Sequence, residues 1–178
     1  PDVILWNASF FAKPALDGKK TPWHQDGQYW PMRPLETCTV WIAVDPATSE
    51  NGCMRFLPGS HKDQQLRQHR SHGNPDFTIR QELLESEYDE SNAFDVVLDE
   101  GQVSMHDVYL LHGSEANYSK FPRRALTLRY MPATSLFDRD KARELYEKSG
   151  VFDNSESTIF LMSGTNQVAE NDFRIRSL

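Results

Sequence analysis

Short apolar, β-branched and aromatic runs separated by turn residues dominate the chain. Val3–Ala12 is apolar and aromatic, and Lys13-Pro14 and Asp17-Gly18-Lys19-Lys20 then supply turn chemistry. Thr21–Tyr29 holds a short strand. Thr37–Val44 (TCTVWIAV) is the clearest strand of all, rich in residues that suit a pleated, half-buried surface. Ser49-Glu50-Asn51-Gly52-Cys53 predicts a turn, Met54–Leu57 another strand, and Pro58-Gly59-Ser60 a break. The polar stretch Lys62–Ser91 reads as a long excursion from the sheet, with room for short helices at Lys62–His69 and Ile79–Glu87; such excursions are often lids or binding loops. Ala93–Leu98 and Val103–Leu110 read as strands around an Asp99-Glu100-Gly101-Gln102 turn, and Arg124–Met131 as a strand with alternating faces. Asp138–Lys148 predicts a surface helix with i,i+4 charge pairs, and the polar end Asn166–Leu178 is expected to wrap the surface. At least six short strands and little helix predict a mainly β fold, an antiparallel jelly roll or sandwich.

Composition narrows the class. The 178 residues fit one domain, with no internal repeat, low-complexity tract or dividing linker, and ten Phe, six Tyr and four Trp argue against disorder. Formal charge is 19 minus 26, or −7, without a basic stripe, so a nucleic-acid partner is not expected. The longest apolar runs, such as Val40–Val44, fall far short of the ~20 residues that span a bilayer, so no membrane partner is expected either. No charged-then-apolar leader opens the chain. Cys38 and Cys53 form neither a CxxC pair nor a disulfide framework, which makes a reduced, cytoplasmic setting the expectation. The chain enters strand-like sequence directly at Pro1, and we expect a catalytic core, residues 1–178, without an N-terminal segment.

The sharpest local feature is Trp23-His24-Gln25-Asp26. Residues i and i+2 of a strand share a face, so the His24 imidazole and the Asp26 carboxylate can converge on one ion. A second histidine from a distant strand would complete the two-His-one-carboxylate triad that holds non-haem Fe(II) and leaves three positions open. Leu110-Leu111-His112-Gly113-Ser114 puts a histidine at the end of an apolar strand, and Arg123 and Arg124 follow. An arginine inside an apolar barrel needs an anionic partner, and its fork matches a carboxylate bidentately. A metal triad with a buried arginine is the chemistry required to bind iron and a dicarboxylate cosubstrate together.

At these residues the sequence resembles the phytanoyl-CoA dioxygenase family of Fe(II)/2-oxoglutarate oxygenases. The matching stretches are Trp23-His24-Gln25-Asp26 with Tyr29 and Pro31, Thr39–Asp45, Asn51-Gly52-Cys53-Met54 with Leu57–Lys62, and His112-Gly113-Ser114 with Asn117 and Arg123. The resemblance implies a double-stranded β-helix, a cupin-like jelly-roll barrel with a few short helices and the iron inside one mouth. It implies His24, Asp26 and His112 as iron ligands, Arg123 as the grip on the distal carboxylate of 2-oxoglutarate, Ser114 as a hydrogen-bonding helper and Trp41 as pocket wall. Lys13 falls at a family-like Lys-Pro position without an assigned role. The family's N-terminal helical portion is expected to be missing here. The implied activity is hydroxylation of a small organic molecule with 2-oxoglutarate and O2 as cosubstrates, releasing succinate and CO2. Related halogenases replace the carboxylate ligand with a small residue, so Asp26 disfavours halogenation. A net charge of −7 argues weakly against a highly anionic CoA ester.

Several residues carry rival readings. His106 competes with His112 but lacks an arginine at the family spacing, and reads as a satisfied core histidine or one that supports the ligands from behind. Alternation puts Arg123, Ala125, Thr127 and Arg129 on one face and leaves Arg124 to the surface. Arg129 then points inward, where it either pairs with a buried acid, the reading favoured here, or binds an anionic substrate. Tyr29 and Trp30 are substrate-wall or core residues. His61 reads as a turn residue, and His69 and His72 as solvated. Two other classes stay open: a zinc or manganese hydrolase or isomerase on a cupin-like barrel, and a non-catalytic jelly-roll binding module.

Overall fold

The computed structural model describes residues 1–149 and 153–174, so the last four residues of the stretch expected to wrap the surface lie outside the described residues. In chain order the strands are β1 (Val3–Lys13), β2 (Thr21–His24), β3 (Met32–Arg33), β4 (Cys38–Ala43), β5 (Met54–Phe56), β6 (His69–Ser71) and β7 (Gln81–Leu83). They continue with β8 (Phe94–Val96), β9 (Val103–Asp107), β10 (His112–Ser114), β11 (Arg123–Pro132), β12 (Leu136–Phe137) and β13 (Phe160–Ser163), and the helix α1 (Arg139–Ser149) lies before β13. Two antiparallel sheets form the jelly roll, one ordered β13-β1-β11-β4-β9 and the other β2-β10-β5-β8.

The pattern of β4 explains how the sheets close on one another. Thr39, Trp41 and Ala43 are buried while Cys38, Val40 and Ile42 are half-buried, a period-two strand with one face on the core. The neighbouring β11 repeats it: Ala125 pairs with Ala43, Thr127 with Trp41, and Arg129 with Thr39. Trp41, Ala43 and Ala125 of the large sheet pack against Met54 and Val96 of the small one. A second core gathers Ile4, Trp6, Trp30, Met32, Met131 and Phe137, and so places Trp30 among core residues, with Tyr29 beside it. Gly52 closes the turn before β5 at φ +76°, and a Cβ there would sit 2.4 Å from the Glu115 carbonyl oxygen, so this approach to the strand carrying His112 requires glycine.

One irregularity matters for the site. Along β1 the register against β11 breaks between Leu5, opposite Tyr130, and Asn7, opposite Arg129. Trp6 is the extra residue of this bulge, and both Trp6 and Asn7 reach Arg129, which lies on the inner face of β11.

The long excursion is less helical than its sequence suggests. Lys62–His69 forms turns and extended chain, and Ile79–Glu87 holds β7 followed by a 3-10 turn at Glu85–Glu87. The cause is a side chain elsewhere. Gln25, fully buried, donates its amide to the carbonyls of Gln65 and Tyr109, and its Oε1 accepts from Arg67 N at 2.7 Å. Backbone groups that a helix would need are thereby committed to Gln25. His69 is tied down as well. Its Nε2 accepts from Gln25 N at 3.2 Å and burial lowers its pKa, so it is not the solvated residue expected from a polar stretch.

Candidate metal and cosubstrate site

His112 on β10 lies directly opposite His24 on β2, and the cross-strand pair sets their ring centroids 4.2 Å apart. The strand read over Thr21–Tyr29 ends at His24, short of Asp26, which opens a 3-10 turn. The alternation survives because Gln25 stays extended (φ −120°, ψ 133°), returning Asp26 to the side of His24. Asp26 Oδ1 lies 3.7 Å from His24 Nε2 and 3.9 Å from His112 Nε2, and one ligand atom from each of the three falls within 4.8 Å of the others.

The hydrogen bonds behind this cluster decide its chemistry. His24 Nδ1 lies 2.9 Å from the Pro22 carbonyl and His112 Nδ1 lies 3.0 Å from the Leu110 carbonyl. A carbonyl only accepts, so each Nδ1 carries a proton and each Nε2 is turned toward Asp26. Backbone carbonyls orient metal-binding imidazoles in this way. Burial first, and the adjacent His24 second, hold the His112 pKa well below its ordinary value, so this imidazole is neutral as a ligand must be. Burial alone would raise the Asp26 pKa, but the His106 and His24 rings, with His112 and Arg129 at longer range, hold it well below the carboxylate range. Two imidazoles held through Nδ1 and an ionised carboxylate, all buried, fit a divalent iron centre with open positions.

The triad looks into a cavity of about 370 Å³ lined from both sheets. Beyond it, Arg123 is 4% exposed, with its guanidinium 5.5 Å from the Trp41 ring centroid and Nε without a partner. No carboxylate of the described residues lies within 4 Å of it, and burial lowers its pKa to about 10. Arg124, by contrast, turns outward and holds Asp45 through bonds of 2.8 and 2.7 Å. Ser114 and Trp41 line the same cavity. Lys13, whose position in the sequence suggested no role, pairs in register with Arg123 and donates Nζ to the Ser114 and Glu115 carbonyls. Burial, then the Arg123 charge, lower its pKa to about 7.

Five other residues define the opposite end. His106 sits 3.6 Å from Asp26 Oδ2, with neither ring nitrogen hydrogen-bonded; it is a neighbour of the triad rather than a satisfied core histidine. Thr39 donates to the same Asp26 oxygen at 3.4 Å. Tyr29 and Trp30 are buried in the core and also border the cavity. Arg129 points inward as its parity requires, but its expected ion pair is absent: no carboxylate lies within 4 Å among the described residues, because its neighbours on β1 are the neutral Asn7 and Ser9. The register of β1 against β11 would have been needed to see this.

The jelly roll is the fold of non-haem, 2-oxoglutarate-binding oxygenases. The chain belongs to the phytanoyl-CoA dioxygenase family: the model described as Phytanoyl-CoA dioxygenase (PhyH) matches residues 3–125. It is 34% identical over 138 residues to a phytanoyl-CoA dioxygenase domain-containing protein 1 homolog of Caenorhabditis briggsae, covering 74% of this chain and 46% of that protein. Among solved structures it is similar to the apo form of the non-haem monooxygenase ThoJ, with 31% identity, a TM-score of 0.65, and coverage of 76% of this chain and 48% of that one. It is also similar to EvdO2 from Micromonospora carbonacea var. aurantiaca complexed with 2-oxoglutarate, with 30% identity, a TM-score of 0.58 and coverage of 70% and 52%. The chain spans about half the length of the curated relatives it matches.

Proposed function

We propose that the protein is an Fe(II)- and 2-oxoglutarate-dependent dioxygenase that hydroxylates a small organic molecule. The observation that carries this reading is the pairing, in one cavity, of a preoriented two-His-one-carboxylate set with a buried guanidinium that has no carboxylate of its own. His24, Asp26 and His112 would hold the iron, and Arg123 the distal carboxylate of 2-oxoglutarate, beside Ser114 and Trp41. Iron with 2-oxoglutarate and O2 supplies the oxidising power that hydroxylates a C–H bond, with succinate and CO2 as coproducts. The chain's own residues fix the geometry. The Pro22 and Leu110 carbonyls orient the imidazoles, and Thr39 donates to the second Asp26 oxygen with His106 beside it. The two free cysteines suit the reducing cytoplasmic setting proposed for it, and no helix among the described residues is long and apolar enough to cross a membrane. Fe(II) and 2-oxoglutarate added without oxygen are expected to give the weak visible metal-to-ligand charge-transfer band. Full metal occupancy with no band overturns the proposal.

Lys13 gives that site a pH dependence. Below about pH 7 it is protonated and presents a second positive charge next to Arg123; above, it is neutral. Glu115 and Cys53 oppose the depression of its pKa, while Lys20 adds to it. A bound dianion favours the protonated form, so binding takes up a proton and affinity falls as pH rises. Between pH 6.5 and 8.5 the 2-oxoglutarate affinity of the iron-loaded protein is expected to drop about tenfold, and much less in Lys13→Met. Titration of the charge-transfer band at each pH measures it, and a flat wild-type profile refutes the assignment.

A further inference from the structure

The inner face of β11 carries two arginines six residues apart, about 20 Å along an extended strand. Arg123 lies at the Lys13 end of the cavity. Arg129 lies at the other, opposite Thr39, whose hydroxyl reaches Asp26, so the triad separates two cationic ends. One dicarboxylate cosubstrate chelated at the metal accounts for one arginine and leaves the second unexplained.

The surroundings of Arg129 orient its charge without neutralising it. Nη1 donates to Asn7 Oδ1 at 2.6 Å and more weakly to Ser9 Oγ at 3.4 Å, both neutral. The guanidinium stacks over three rings, 5.2 Å from the Trp30 centroid, 5.5 Å from Phe11 and 6.0 Å from Trp6. Its Nε has no partner. The acid that acts on it is Asp26, beyond ion-pair distance and committed to the histidines. The bulge in β1 is what supplies both Trp6 and Asn7 to this one side chain. The surface arginines are treated differently: Arg55 holds Glu90 and Asp95, and Arg124 holds Asp45. A guanidinium withdrawn from water, pre-aimed by neutral groups and open toward a cavity, is arranged to receive an oxyanion.

We propose that Arg129 anchors an oxyanion, a carboxylate or phosphonate, carried by the primary substrate, with Trp6, Trp30 and Phe11 flanking the group next to it. This rests on the oxygenase reading and specifies its substrate class. The anchored end lies on the far side of the triad from Arg123, so substrate and cosubstrate approach the metal from opposite ends. The net charge of −7 does not oppose this, because a local cation in a low-dielectric cleft outweighs distant surface acids.

The test uses the protein loaded with Fe(II) and saturating 2-oxoglutarate without oxygen, so that Arg123 is already occupied. Butanoate, butylphosphonate and neutral butanamide are titrated in turn, followed by tryptophan fluorescence from the Trp6–Trp30 pair and by the shift of the charge-transfer band. At least one anion is expected to bind about 10- to 100-fold more tightly than the amide, the range of a charge-assisted hydrogen bond. Which anion it is separates carboxylate from phosphonate. Arg129→Gln is expected to lose this preference, and Arg129→Lys, which keeps the charge without the fork, to keep part of it. Equal binding of anions and amide, or a preference that survives Arg129→Gln in protein that still shows the 2-oxoglutarate band, overturns the proposal. Loss of the band in wild type would instead sink the oxygenase reading, while the fluorescence titration would still report on Arg129.

Discussion

Asp26→Ala is expected to abolish metal-induced stabilisation and the 2-oxoglutarate charge-transfer band together, and turnover with them. The carboxylate is the sole anion of the candidate ligand set; His24 and His112 bring no negative charge, and backbone carbonyls hold their Nδ1 atoms. Removing it leaves two imidazoles whose rings are 4.2 Å apart, and nothing to offset the charge of a dication in a buried site. Metal that binds only the folded state stabilises it by about 4 kcal/mol at a thousand times its dissociation constant, or about 8–16 °C in a domain of this size. Wild type should show a shift of that order on anaerobic addition of Fe(II) in calorimetry, and Asp26→Ala essentially none. An equivalent shift in the variant would mean that the metal sits elsewhere. His106→Ala is the informative companion. Its ring faces Asp26 Oδ2 rather than the Oδ1 shared with the histidines, so it is expected to weaken the shift without erasing it.

The sequence carried this centre because its signal is local. His24 and Asp26 are two residues apart in extended chain, and that spacing alone puts them on one side, whether or not the strand continues; the structure ends β2 at His24 and the argument still holds. The same parity rule sorted Arg123 from Arg124 correctly, since burial along β11 alternates from Arg123 to Thr127. The period-two run of β4 likewise identified Trp41 as inward-facing. What stayed hidden depends on register and on long-range side-chain bonds. Lys13 lies opposite Arg123 only through the β1–β11 pairing, more than a hundred residues apart in sequence. Lys62–His69 has a composition compatible with a helix, but its backbone is captured by the amide of Gln25, some forty residues earlier. Arg129 was expected to find an acid because buried arginines usually do. The bulge at Trp6 brings it neutral partners instead, and no pattern in Val3–Ala12 announces an extra residue.

Arg123→Met should separate the oxygenase from any other enzyme built on the same metal set. A zinc or manganese hydrolase using the triad has no need of a guanidinium at the far end of its cavity, whereas a cosubstrate with two carboxylates does. Arg123 is buried over Trp41, its Nε is unpartnered and no carboxylate of the described residues balances it. Burial pulls its pKa down to about 10, which marks a cation held at a cost in the free protein. Two effects of opposite sign follow. With nothing bound, the variant should melt several degrees higher than wild type, because about 1 kcal/mol moves the midpoint by about 2–4 °C and an uncompensated buried charge costs more than that. With iron present, its affinity for 2-oxoglutarate should fall roughly 100-fold, the worth of a bidentate, charge-assisted contact. The Fe(II)-induced stabilisation should remain, since the ligand atoms lie elsewhere in the cavity. Calorimetry of the free and iron-loaded protein, paired with titration of the charge-transfer band, reads all three quantities. A variant that is both less stable and unchanged in 2-oxoglutarate affinity would make Arg123 a structural residue and remove the cosubstrate site from this end of the cavity. A variant that melts higher yet binds 2-oxoglutarate far more weakly would show that the arginine is maintained against its own stability cost for the sake of the dianion.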